Sequence, residues 1–379
     1  MDLGSEVLAP HGRKPPGAGA GLIVGADNHA ARAALWLKGN LFSSLANTIL
    51  TLVVVAVIAV AAPPVFHWAI GGATISGDSK AACTGDGACW TFIKVRLPLF
   101  FYGHYPPAER WRLFGAALML VLFSAPAMRE RTPHRGLFVL LLLTVFPVLA
   151  GILLVGGVAG LPYVDTSQWG GLMLNVVISF VVVEAAFLLG ILLALGRRSA
   201  LPVVRLLSVG FIELWRGIPL LIVLIMSAMM VPLFLPEGVT FDRLIRAIVA
   251  LSLFEAAYMA EAIRGGLQGI PEGQVEAAHS LGLRWWQVQA FVSLPQALRF
   301  SFPSIINTVI DLFKDTTLLL FVGVFDLLSA VIAASKDTAW LGYYKEGYVF
   351  AMLIFFLCCF TMSLHARRFE RRLNRHKRG

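Results

Sequence analysis

Long apolar runs recur along this chain, and they leave few folds open to it. Uninterrupted runs at 41–62, 137–158, 172–195 and 348–364 come close to the roughly 20 residues a helix needs to cross a bilayer. Backbone in hydrocarbon must satisfy its own N–H and C=O groups, so runs of this length read as spanning helices. Composition agrees. The 379 residues are 58% hydrophobic and 14% charged, whereas soluble domains carry about a quarter charged residues. The expected class is an all-α polytopic membrane protein.

Four further runs are less regular. Residues 112–128 form a shorter apolar stretch, and 203–235 is interrupted by Pro219, where a kink is expected. Residues 245–263 form a charged but apolar-periodic run, and 300–334 is too long for one simple span. Two spans within 300–334 would send the C-terminal tail outside. That tail carries Arg367, Arg368, Arg371, Arg372, Arg375, Lys377 and Arg378, and basic flanks mark the cytoplasmic side. One broken span, with its remainder packed along the outer side, keeps the tail inside. The expectation is about eight spans with both termini cytoplasmic.

Organisation follows from this count. Residues 1–40 read as a cytoplasmic tail, with no short apolar core and cleavage site of a removable signal. Residues 41–170 form an extension of about three spans with a long Gly-rich loop, 63–110, placed outside. The extension returns inside at the basic cluster 129–135. Residues 171–366 form a second module, closed by the basic tail 367–379.

Several function classes drop out. No G-x-x-x-x-G-K-[ST] loop, H-E-x-x-H metal motif or G-x-S-x-G nucleophile elbow occurs. The eight histidines show no metal spacing, so neither a catalytic nor a metal site is assigned. The net charge of +9 is better explained by flanking cations than by nucleic acid. Cys83 and Cys89, in the 63–110 loop, could pair in an oxidising periplasm or stay free. Cys358 and Cys359 lie within an apolar run and read as packing.

Charges inside the spans are the next signal, because they are expensive there. Glu184 reads equally as functional or structural. Glu255 has no assigned partner. Glu213 and Arg216 are three residues apart, can share a helix face, and form a candidate structural ion pair. Lys314, Asp315, Thr316 and Thr317 interrupt the last long run. Broken segments commonly line transporter cavities, so these four are the candidate substrate pathway; Lys314 and Asp315 could equally neutralise each other and only shape the bundle. An ion-coupled secondary transporter using Glu184, Glu255, Asp311 and Asp326 is the alternative.

Between 258 and 295 the chain builds a helix–turn–helix. Pro271 and Glu272 suit a first helical turn. Val275, Ala277, Ala278 and Leu281 can form an apolar face, and Gly282 is a natural stop. A second helix from Trp285 would place Trp285, Val288, Phe291 and Val292 on one face, with Pro295 limiting it. Small Ala277 and Ala278 beside Glu276 would let another surface approach closely. Periodicity alone leaves lipid and a docked protein equally open.

Glu276-Ala277-Ala278, then Gly282, then Leu294-Pro295 resembles the EAA loop of permease subunits of bacterial ABC importers. ELWRGIPL at 213–220, YMAE at 258–261 with RGG at 264–266, and KDTT at 314–317 resemble the polar amino acid branch, of the histidine/glutamine type. The long extension resembles permeases of general L-amino acid importers. The resemblance covers roughly 170–368 and implies a five-helix type I importer module with a cytoplasmic docking loop at 265–299. It implies an ATP-binding subunit that carries ATP and Mg²⁺, leaving this chain without a cofactor. It also implies a second, related permease subunit, a periplasmic amino acid-binding protein, and an amino acid as cargo.

Overall fold

The computed structural model of the protein describes residues 29–129, 132–236, 238 and 241–375. Most of the N-terminal tail, Glu130 and Arg131 of the basic cluster, and Lys377 and Arg378 lie outside the described residues, as do the side chains of Arg372 and Arg375. The chain divides into two compact units, 1–71 and 72–379. The boundary expected at 170/171 falls within the second unit.

The first unit contains α1 (His29–Asn40) and α2 (Leu45–Phe66). Ser44 caps α2, its hydroxyl accepting the Asn47 N–H at 3.2 Å. No residue of α2 is buried. A helix apolar all round suits a hydrocarbon surrounding.

The second unit opens with a difference from the sequence reading. The stretch read as a 63–110 loop contains α3 (Trp90–Tyr102), whose Phe92 and Phe100 are fully buried. Its anchors are distant in sequence, which is why no local signal revealed it. Phe92 meets the rings of Trp340 and Tyr343, Arg96 pairs with Asp337, and Glu346 accepts the Cys89 N–H at 3.2 Å. A disulfide joins Cys83 and Cys89.

Two antiparallel helices follow, α4 (Trp111–Met128) and α5 (Arg135–Val155). Arg112 at the start of α4 is fully buried, and such a charge must be paired. It lies 2.8 Å from Glu109 and donates to Pro162 O at 3.0 Å. Then come α6 (Gly171–Arg197), α7 (Pro202–Gly217) and α8 (Leu220–Met229). The expected kink at Pro219 is a 98° turn between α7 and α8, so 203–235 is no continuous span. Proline disfavours helical backbone in the residue before it, and Ile218 is extended at φ −103°, ψ 134°.

The bundle closes with α9 (Arg243–Gln268), α10 (Glu272–Ser280), α11 (Trp285–Gln287), α12 (Leu294–Asp315), α13 (Leu327–Lys336) and α14 (Tyr344–Arg375). Helix α9 is the core element, packed on α6, α7, α8 and α12. Gly266 permits the α9–α12 approach, since a Cβ there would strike Ala297 O and Ser301. Five helices among the described residues are long and apolar enough to cross a membrane, or six if the bent α7–α8 pair is counted as one broken span. Helices α9 and α12 have spanning length, 26 and 22 residues, but their charged residues lower their apolarity. Loosely counted, this agrees with about eight spans. The molecule is an all-α polytopic membrane protein.

Candidate functional site

The docking loop 265–299 sits at one end of the bundle, between the end of α9 and the start of α12. Pro271 lies one position before the expected first turn, as the extended N-cap of α10 at φ −59°, ψ 134°. Ala278 is only 4% exposed, while Glu276 and Ala277 are exposed. Ala278 therefore packs against its own chain and is not a contact for another surface. Leu281 is 82% exposed, so the expected apolar face reduces to Val275 and Ala278, the i, i+3 pair. Gly282 ends α10 at φ 77°. Its N–H donates to His279 O at 2.9 Å and the Leu283 N–H to Ala278 O at 3.3 Å. This is the paired Schellman closure, which needs a left-handed residue at that position.

The second helix differs more. From Trp285 the chain runs through α11, a π-helical stretch Val288–Ser293 and directly into α12. Pro295 does not limit it; it lies in the first turn of α12. Proline offers no N–H to the carbonyl four residues back, and the wider π turn precedes it. The Gln296 side chain donates to Val292 O at 3.0 Å. The extra residue moves the buried face, which reads Val288, Ser293, Ala297, Ser301 rather than the 285, 288, 291, 292 stripe of a plain α-helix. Trp285, Trp286 and Phe291 stay 52%, 54% and 67% exposed. With Leu281 they are four large apolar side chains left exposed within the docking loop, and the Trp286 and Phe291 rings lie 6.2 Å apart. A cavity of about 250 Å³ lies among Arg198, Leu267, Glu272, Val275, Glu276 and Ser293.

A charge network ties α6, α7 and α9 together at this end. Glu213 and Arg216 do not form the expected pair. Glu213 lies 3.1 Å from Arg197, and Arg216 lies 3.9 Å from Glu261. Glu261 is the hub, also 3.7 Å from Arg197 and hydrogen-bonded by Arg264. Local i, i+3 spacing suggested one pair; helix packing chose partners from other helices. In the sequence Glu261 stands out only within the YMAE stretch at 258–261.

The long run 300–334 is one broken segment. Helix α12 tightens into a 3₁₀ stretch Thr316–Val322, turns at Gly323 (φ 73°) and restarts as α13. Its joint is built on a residue the sequence did not single out, Asn175 of α6. Fully buried, Asn175 donates to Thr316 Oγ1 at 2.8 Å and accepts the Leu327 N–H at 3.0 Å. Asp326 caps α13 by accepting the Leu328 and Ser329 N–H groups.

The four pathway candidates separate here. Thr316 is buried in the joint, and Thr317 donates to Lys314 O at 2.8 Å. Lys314 is exposed and pairs with Asp311 at 2.8 Å, not with Asp315. Glu255, 4% exposed on α9, lies within electrostatic range of Asp315 and Asp311. Glu184 Oε1 is buried and has no hydrogen-bond partner among the described residues. A cavity of about 580 Å³ lies elsewhere, among Trp215, Met226, Phe234 and Ile245 of the α7–α8–α9 region. Among the described residues no group of three or more His, Cys, Asp or Glu could hold a metal.

Residues 186–375 match the family described as binding-protein-dependent transport system inner membrane component. The chain is 47% identical to the inner membrane amino-acid ABC transporter permease protein YhdY of Escherichia coli (strain K12), covering 98% of both chains. It is 38% identical to the glutamate/glutamine/aspartate/asparagine transport system permease protein BztC of Rhodobacter capsulatus, over 90% of this chain and 94% of that one. A solved amino acid ABC transporter with histidines is 30% identical, covering 53% of this chain and 92% of that one, at a TM-score of 0.48. Likeness across nearly its whole length and the match over 186–375 show that this chain belongs to the family of binding-protein-dependent transport system inner membrane components.

Proposed function

We propose that this chain is the permease subunit of an ATP-driven amino acid importer. It forms half of a transmembrane pathway and contributes no ATP site; ATP and Mg²⁺ belong to a separate ATP-binding subunit. The observation that carries this reading is the docking loop. A short rigid helix, closed by Gly282 and backed by buried Ala278, stands beside exposed Leu281, Trp285, Trp286 and Phe291. Exposed apolar side chains of that kind suit a protein partner. Full-length relatives named as amino acid permeases supply the substrate class.

In this reading the loop end of the bundle is cytoplasmic, and so are both termini. Closure of two ATP-binding subunits draws the docking helices together. The pull passes through the continuous helix from Trp285 to Asp315 into the broken segment at Thr316. Asp311, Lys314 and Asp315 line the pathway there, facing a second permease, a related chain rather than a copy. A periplasmic binding protein delivers the amino acid.

The test is reconstitution in proteoliposomes, with uptake of L-glutamate, L-glutamine, L-aspartate and L-asparagine. Uptake is expected only with the ATP-binding subunit and the binding protein present, and it should be insensitive to an uncoupler. A photocrosslinking residue at exposed position Ala277 should capture the ATP-binding subunit, whereas the same probe at buried Ala278 should not. Uptake by this chain alone, abolished by an uncoupler, would refute the reading and restore an ion-coupled carrier.

A further inference from the structure

A second polar feature lies at the opposite end of the bundle from the docking loop. The starts of α6 and α9 and the Gly323 turn enclose a pocket of about 300 Å³, walled by Trp169, Thr166, Ser167, Asp242, Arg243 and Phe325. That volume is at the small end of ligand sites. Among the described residues Arg243 has no carboxylate within ion-pair distance. Its Nη1 donates to Gly323 O at 3.0 Å, which leaves Nη2 and Nε of a planar fork that matches a carboxylate. Gly323 makes the room, since a Cβ there would sit 2.7 Å from Arg243 Nη1. Asp242 supplies the opposite charge and is held in place. Its Oδ1 accepts the Leu244 and Ile245 N–H groups, and its other oxygen accepts from Thr166. Trp169, 5% exposed, forms the wall.

We propose that this pocket is an acceptor site for a zwitterionic α-amino acid, with Arg243 taking its carboxylate and Asp242 its ammonium group. The adjacent opposite charges favour a zwitterion over a simple anion or cation. The site is separate from Asp311, Lys314 and Asp315, and it gives arriving substrate a first holding point at the outer end. This rests on the amino acid import reading above.

The experiment is equilibrium binding of ¹⁴C-labelled L-glutamine and L-glutamate to the assembled transporter in nanodiscs, without binding protein. Saturable binding is expected, displaced by the unlabelled amino acid but not by its decarboxylated amine or its deaminated acid. Arg243→Gln should weaken binding by about tenfold or more, the scale of a charge-assisted contact, and Arg243→Lys should weaken it less. Asp242→Asn keeps an oxygen for the helix cap but removes the charge that takes the ammonium group, so it should weaken binding by a similar factor without lowering the melting temperature. Should Arg243→Gln fail to assemble, Asp242→Asn decides. An Arg243→Gln isotherm that superimposes on the unsubstituted one, or Asp242→Asn binding at unchanged affinity, overturns the pocket while import remains. Absence of amino acid uptake by the unsubstituted transporter overturns both readings together.

Discussion

Gly282 offers the cleanest perturbation of the docking loop. Its backbone is left-handed at φ 77°, and a Cβ built there meets nothing within 4 Å. Substitution to alanine therefore carries no steric clash, only the conformational cost of a left-handed L-residue, about 1–2 kcal/mol. That corresponds to roughly a 5- to 30-fold loss in the population of the ordered loop. A helix of 9 residues such as α10 has little stability of its own to hide this loss. Asparagine tolerates the left-handed region better, so the expected order is Gly, then Asn, then Ala. Gly282→Asp adds a charge beside exposed Leu281 and should abolish transport with membrane insertion intact. The assay is binding-protein-stimulated ATP hydrolysis in proteoliposomes, with co-purification of the ATP-binding subunit as a second readout. Alanine performing as well as glycine, or worse performance by asparagine than by alanine, would refute the geometric argument. An aspartate variant with normal transport would refute the role of the loop.

Two other sites give independent tests. Asn175→Ala leaves the buried Leu327 N–H without its acceptor and removes the Thr316 contact, which should cost about 1–3 kcal/mol. Thermal unfolding in detergent should show a lowered midpoint, and an unchanged midpoint would mean the broken segment is held by other contacts. Lys314→Ala removes the partner of Asp311 and should alter affinity or selectivity across the four amino acids tested for uptake. Unchanged uptake of all four would reduce Lys314 to scaffolding.

The path between docking loop and broken segment shows where sequence reasoning reached and where it stopped. Gly282 was legible, because only its position after an amphipathic stretch was needed to expect a left-handed stop. Ala278 is buried by tertiary packing that its position beside Glu276 does not reveal, whereas the stripe from Trp285 and the role of Pro295 differ from expectation for a register reason. Inserting one residue through a π turn shifts every later side chain around the helix, and apolar spacing in the sequence does not announce that turn. The expected Glu213–Arg216 pair failed differently. Neighbours along one helix are easily seen, but α6 and α9 brought Arg197 and Glu261 closer. Helix α3 was read as loop because its burial depends on aromatic partners more than two hundred residues away.

What the sequence by itself determined was the class and the order of parts. Hydrocarbon forces helices on long apolar runs, and the polar interruptions mark where the docking loop and the broken segment must fall. Only the tertiary structure decided which side chains meet. It decided that Asn175 holds the broken joint, that Glu261 gathers Arg197 and Arg216 from other helices, that Phe92 meets Trp340, and that Arg243 reaches Gly323. Contacts of this kind join residues far apart in the chain, and their geometry is set by helix packing, which no local pattern encodes.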